Sequence, residues 1–147
     1  MSSKIINKKK LNCEIIELFA NNFLDRERNL NSIKRNNKLI CYSILVKNIS
    51  KNNNLSLSEL ISMTDETIMK KFSPASINFV SKNLSVPRET VRRNLTSLTE
   101  NSTVLRNHKG LYVSSKWLNK NIDQLFESVI NYISLGKKLQ NKININL

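Results

Sequence analysis

Apolar residues recur with helical spacing at the start of the chain. Leu11, Ile15, Leu18, Phe19 and Phe23 fall at i, i+4, i+7, i+8 and i+12, while Glu14, Glu17, Asp25 and Arg28 take other faces. This pattern predicts an amphipathic helix from Leu11 to about Leu30. Asn36 and Asn37 break it and can cap a second segment, KLICYSILVKNIS, from Lys38 to Ser50. That run is apolar nearly all round, so it is expected to be buried on most sides as a helix, although a central strand also fits. After a loop at Lys51–Asn54, Ser56-Leu57-Ser58-Glu59 has the form of a capping box, with serine at N-cap and glutamate three residues on. A short helix to about Met63 is expected, then one or two turns from Thr64 or Asp65 to near Phe72. Ser73-Pro74 reads as an N-cap followed by proline at the first helical position, where its missing N–H costs nothing. The helix it opens is expected to reach about Asn83, with Ile77, Val80 and Leu84 inward.

The stretch SKNLSVPRETVRRNLTSL, Ser81 to Leu98, places a second helix three residues after the first. On a wheel of about 100° per residue, Val91, Leu95 and Leu98 share one side. Glu89, Arg93, Thr96 and Ser97 lie opposite, flanked by Arg88 and Arg92. The helix is therefore expected to anchor through three aliphatics and to offer water a polar, mainly cationic face. Two β-prone runs follow, Thr103–Leu105 and Leu111–Val113, joined by Asn107-His108-Lys109-Gly110, a hairpin signal with a glycine able to take positive φ. A last apolar stripe, Ile122, Leu125, Phe126, Val129, Ile130 and Ile133, predicts a helix from Asn119 to about Gln140. Gly136 weakens its final turns by roughly 1 kcal/mol relative to alanine.

Charge narrows the class of partner. Among 147 residues, 24 Lys and Arg stand against 11 Asp and Glu, a net charge of +13. Such an excess favours polyanions, and a generally basic, soluble surface is the plainer account of the lysines. It does not account for where the arginines sit. Cys13 and Cys41 are far apart, there is no CxxC, and the chain has 1 histidine. That excludes the usual zinc spacings and argues against a disulfide scaffold. No cofactor is expected. A nucleophile–base pair, a P-loop and a GxGxxG are all missing from the sequence, so an enzyme is not expected. The N-terminal MSSKIINKKK lacks an apolar stretch behind its charges, and the longest apolar run is too short to span a bilayer. A soluble, cytoplasmic protein is expected, with residues 1–10 a flexible basic tail. Tyr42, Tyr112, Trp117 and Tyr132 read as core or edge packing, because they are not interleaved with basic residues as stacking platforms are. The two cysteines read as buried structural thiols.

The segment Ser73–Ser114 resembles the winged helix-turn-helix of bacterial transcription regulators. Its RETVRR string is similar to the opening of the recognition helix in the cyclic-AMP receptor protein and in GntR-type regulators. Ser81 stands where such families carry a small residue that lets the two helices cross closely. Val86 matches the buried valine of the turn, and Glu89, Thr90 and Val91 match its "ETV". Ser85 replaces the usual turn glycine, and Pro87 the usual N-cap serine. The resemblance implies a mainly α fold: a winged helix-turn-helix with a small β-hairpin wing and additional N- and C-terminal helices. Such a fold needs a helix upstream, which favours the helical reading of Lys38–Ser50. It implies that Arg88, Glu89 and Arg93 read base edges of double-stranded DNA, while Thr90 and Arg92 contact phosphate or assist. Thr96 and Ser97 continue that face. Arg106, His108 and Lys109 sit at the wing tip, near the minor groove or adjacent phosphates. Asn101 is the residue expected to take the left-handed conformation after the helix.

The organisation expected is a tail over 1–10, supporting and dimerising helices over 11–54, a DNA-binding region over 55–116, and a C-terminal helix and tail over 117–147. The function expected is a sequence-specific DNA-binding transcription regulator, a homodimer through its terminal helices. A winged-helix module for a protein or structured RNA partner is the alternative; there, random duplex DNA would fail to displace the partner.

Overall fold

The computed structural model describes residues 17, 20, 36–51 and 55–143. The chain is mainly helical with one small antiparallel sheet. Its elements are α1 (Asn36–Ile49), α2 (Leu57–Ile61), α3 (Asp65–Lys71), α4 (Ile77–Leu84), α5 (Arg88–Glu100), β1 (Val104–Asn107), β2 (Gly110–Val113) and α6 (Ser115–Ile143). The expected basic tail, Cys13, and the helix over 11–30 lie outside the described residues, apart from Glu17 and Ala20, which are both helical.

The apolar run that fitted either strand or helix is helical. α1 is buried along its length from Leu39 to Ile49 except at Lys47, and it touches α4, α5 and β2. Two polar residues on it are buried, and each has a partner. Asn83 donates to the Ser43 hydroxyl at 2.9 Å. Asn48 Nδ2 donates to the carbonyls of Ser73 at 2.7 Å and Leu111 at 3.1 Å, and Asn48 Oδ1 accepts from the Val113 N–H at 3.0 Å. Its backbone carbonyl accepts from the Ser73 N–H as well. One amide side chain thus ties α1 to the α3–α4 connection and to β2. Buried polar groups persist when paired in this way.

Local caps set most boundaries. The Ser56 hydroxyl accepts from the Glu59 N–H at 3.2 Å and opens α2. Thr64 does the same for Thr67 and opens α3. The expected start of α4 at Pro74 is corrected: its N-cap is Ser76, whose hydroxyl accepts from the Phe79 N–H at 3.0 Å. Ser73-Pro74 stays outside the helix, and Ala75 pairs with β2 instead. The Ala75 N–H donates to the Leu111 carbonyl at 3.0 Å and the Leu111 N–H returns to the Ala75 carbonyl at 2.8 Å. Val80 and Leu84 are buried as expected, while Ile77 is half-buried.

Between α4 and α5 the chain turns through Ser85 at φ 55°, ψ 44°, the left-handed region. The Ser81 hydroxyl donates to the Val86 carbonyl at 2.6 Å, and the Val86 N–H donates to the Ser81 carbonyl at 3.1 Å. Reciprocal bonds thus hold the turn closed. α5 has Pro87 at its N-cap position, with no side-chain cap.

At the far end of α5 the expectation for Asn101 is corrected. Asn101 has φ −89°, and Ser102 takes the left-handed conformation at φ 61°. The Asn101 carboxamide oxygen accepts from the Thr103 N–H at 3.1 Å, so that side chain bridges over Ser102. Thr103 also closes the helix by donating to the Leu98 carbonyl. It therefore lies just outside the sheet, and β1 extends instead toward the tip. Pairing runs Val104 with Val113, Leu105 with Tyr112, Arg106 with Leu111 and Asn107 with Gly110.

α6 begins at Ser115 rather than Asn119. The Ser114 hydroxyl caps the Trp117 N–H at 3.1 Å, and the Ser115 N–H donates to Asp65 Oδ1 at 2.8 Å, a partner 50 residues away. Trp117, Leu118, Ile122 and Leu125 enter the core, with Trp117 edge-on to Tyr42 at 5.4 Å between centroids. Tyr112 is fully buried, and its hydroxyl has no hydrogen-bond partner among the described residues. On the distal part of α6, Tyr132 is 56% exposed and Leu135 55%. No helix among the described residues is long and apolar enough to cross a membrane.

Candidate nucleic-acid interface

α5 is fixed from one side. Val91, Leu95 and Leu98 are buried in the common core, so the remaining positions are turned outward. Arg88, Glu89, Arg92, Arg93, Thr96 and Ser97 are exposed, and Thr90 is half-buried. No described segment covers the charged face.

Glu89 organises that face. Its carboxylate lies 3.4 Å from Arg92 Nη1 and 3.9 Å from Arg93 Nε, pairs at i+3 and i+4 whose side chains stay 60%, 62% and 80% exposed for Glu89, Arg92 and Arg93. Exposed pairs of this kind add only about 0.2–1 kcal/mol to stability. The Thr96 hydroxyl donates weakly to the Arg92 carbonyl at 3.4 Å. Ser97 makes no described side-chain hydrogen bond.

The hairpin stands beside this helix. The Asn107 carboxamide oxygen accepts from the N–H groups of Lys109 at 2.9 Å and Gly110 at 3.2 Å, which shapes the two-residue tip His108-Lys109. Gly110 has φ 149°, and a Cβ there would lie 2.6 Å from the Ala75 carbonyl oxygen and 2.9 Å from Pro74 Cβ. Only glycine permits this close approach of the hairpin to the chain leading into α4.

An open cleft of about 300 Å³ runs between the start of α4, the first turns of α5 and the hairpin tip. Arg88, Arg92, Arg106, His108 and Lys109 line it together with Ser76 and Asn78, and no carboxylate is among its lining residues. Arg88, Arg106 and Lys109 form no ion pair among the described residues. Five of the ten residues singled out from sequence therefore converge on one cleft. Glu89, Arg93, Thr96 and Ser97 lie outside it on the same helix, and Thr90 sits at the margin of the core. Ser76 and Asn78 were not anticipated. Their only signal was Ser76 as an N-cap, and the neighbouring Ser73-Pro74 pair obscured it.

The arrangement suits anions at the cleft and planar hydrogen-bonding groups at the α5 face. Arginine forks match phosphate oxygens or the O6 and N7 of guanine equally well. Cys41, by contrast, offers no reactive thiol: burial pushes its pKa up to about 12. Among the described residues no three of His, Cys, Asp and Glu gather as a metal site. No protein-family model, curated protein or solved structure matches the chain.

Proposed function

We propose that this chain is a winged helix-turn-helix protein that binds double-stranded DNA with sequence preference and regulates transcription as a homodimer. The observation that carries the reading is the outward polar face of α5 beside a cleft lined by five basic side chains. In this reading α4 and α5 form the helix-turn-helix, and α5 enters the major groove, whose width of about 12 Å admits a helix. The hairpin is the wing. Arg88, Arg106 and Lys109 hold backbone phosphates and supply the salt-dependent affinity, while Arg93 and its neighbours toward Ser97 supply the selectivity. The exposed Leu135 on α6 favours a contact with a second copy, which would set two reading heads about 34 Å apart on one side of the duplex.

Selection of bound fragments from a random duplex pool, followed by a salt series, tests the reading. A shared sequence should emerge. Arg93→Ala should then lose about 1–3 kcal/mol of discrimination at one base position, whereas Lys109→Ala should weaken all duplexes alike. Sequence-independent losses of equal size from both changes would reject base reading. A chain that retains a protein or structured RNA against excess random duplex would instead favour a winged-helix interaction module.

A further inference from the structure

The basic residues of the interface fall into two groups. Arg88, Arg106 and Lys109 have no carboxylate partner among the described residues. Arg92 and Arg93 share one, the Glu89 carboxylate, at 3.4 and 3.9 Å. All three paired side chains are mostly exposed, so they do not hold the core together. An acidic side chain in the first turn of a helix gains a little from the helix dipole, but any acid at that end would gain as much. What distinguishes Glu89 is that it reaches both Arg92, which lines the cleft, and Arg93 on the outer face of α5.

Its effect on approaching groups depends on their charge. A phosphate that reaches Arg92 or Arg93 must displace a bound carboxylate and bring its own negative charge beside it. A base edge is neutral. Guanine O6 and N7 can accept from the same guanidinium without repulsion of one full charge by another. We infer that Glu89 is a specificity-determining residue: a built-in counter-charge that withholds Arg92 and Arg93 from backbone phosphate and leaves them for base edges. Phosphate is left to the unpaired cations at the cleft. This inference rests on the DNA-binding reading above, and it differs from Glu89 acting as a base reader in its own right.

The test compares Glu89→Gln with wild type on a random duplex and on the duplex selected by wild type, over a salt series. Glu100→Gln is the control. It removes the same charge from the exposed end of α5, where no arginine among the described residues pairs with it. Glu89→Gln should bind random duplex about threefold or more tightly near 0.1 M salt, with a log–log salt slope steeper by about 1 to 2, as one or two further phosphates become engaged. The preference for the selected duplex should shrink. In Glu89→Gln combined with Arg93→Ala the steepening should be reduced, and Glu100→Gln should leave the slope unchanged. Glu89→Gln that weakens the selected duplex and leaves random binding untouched would make Glu89 a reader and overturn the inference. Equal effects from Glu89→Gln and Glu100→Gln would reduce it to net charge and overturn it too. A wild type that binds no duplex at all overturns the DNA-binding reading, and this inference with it.

Discussion

Asn48→Ala tests what fixes the hairpin. The wild-type carboxamide makes three hydrogen bonds: to the Ser73 carbonyl, to the Leu111 carbonyl and from the Val113 N–H. Truncation removes all three from a fully buried site. The losses are unequal. The Leu111 carbonyl keeps its bond from Ala75. The Val113 N–H loses the partner it has and lies in the core. Two ordinary bonds cost about 1 kcal/mol each, and a stranded buried N–H costs about 1–3 kcal/mol. The sum is about 3–5 kcal/mol, a large share of the stability of a domain this size. Urea unfolding followed by far-ultraviolet circular dichroism measures it as a fall in the midpoint. Asn48→Asp adds a sign test. At neutral pH a carboxylate would face two carbonyl oxygens, so this variant should be less stable than Asn48→Ala. The ionised form is penalised only in the folded state, so the folded chain holds its proton more tightly than the unfolded one. Stability of Asn48→Asp should therefore rise as pH falls and the carboxyl regains a donor. A loss under about 1 kcal/mol for Asn48→Ala would refute the assignment of Asn48 as the hub.

Three further outcomes are expected. Ser85→Gly should raise stability by about 1 kcal/mol, read from the same urea curves, because serine bears a steric cost in the left-handed region that glycine does not. Gly110→Ala should push the hairpin off the Ala75 carbonyl and destabilise the fold by about 1–3 kcal/mol, and the loss of slow exchange at the Ala75 and Leu111 amides would locate the damage. Cys41 should resist alkylation in the native chain near pH 8 and react fully in denaturant, read by mass. Its burial raises the thiol from 9.0 to about 12, so the linked stability is present below 9 and declines as pH rises through that interval.

Much of this fold was legible because local signals agreed with it. The spacing of Val91, Leu95 and Leu98 set the buried side of α5, and with it the outward face. Ser56 and Thr64 opened their helices where their side chains said they would. Two of the boundaries that differ involve distant partners, and one turns on a local side-chain bond. Ser73-Pro74 is a sound helix start considered alone, yet Ala75 pairs with Leu111, which no local pattern announces. Ser115 begins α6 with Ser114 as its cap and with Asp65 meeting its N–H. Asn101 tolerates positive φ better than its neighbours, but its side chain bridges over Ser102, which takes that conformation instead. The cleft shares this non-local origin. Its basic residues could be picked out along the sequence, but their convergence depends on the hairpin standing against the start of α4.

The single carboxamide of Asn48 reaches partners 25, 63 and 65 positions away. A two-stranded hairpin on its own is marginal in water. Here its return strand cannot open without stranding groups on α1 and on the loop before α4. These three regions are therefore one cooperative unit, and the α4–α5–hairpin region is not a module that could be excised without α1. In hydrogen exchange, Ala75, Leu111 and Val113 should be released together, at the rate of the whole unit and not at the faster rate of a fraying edge.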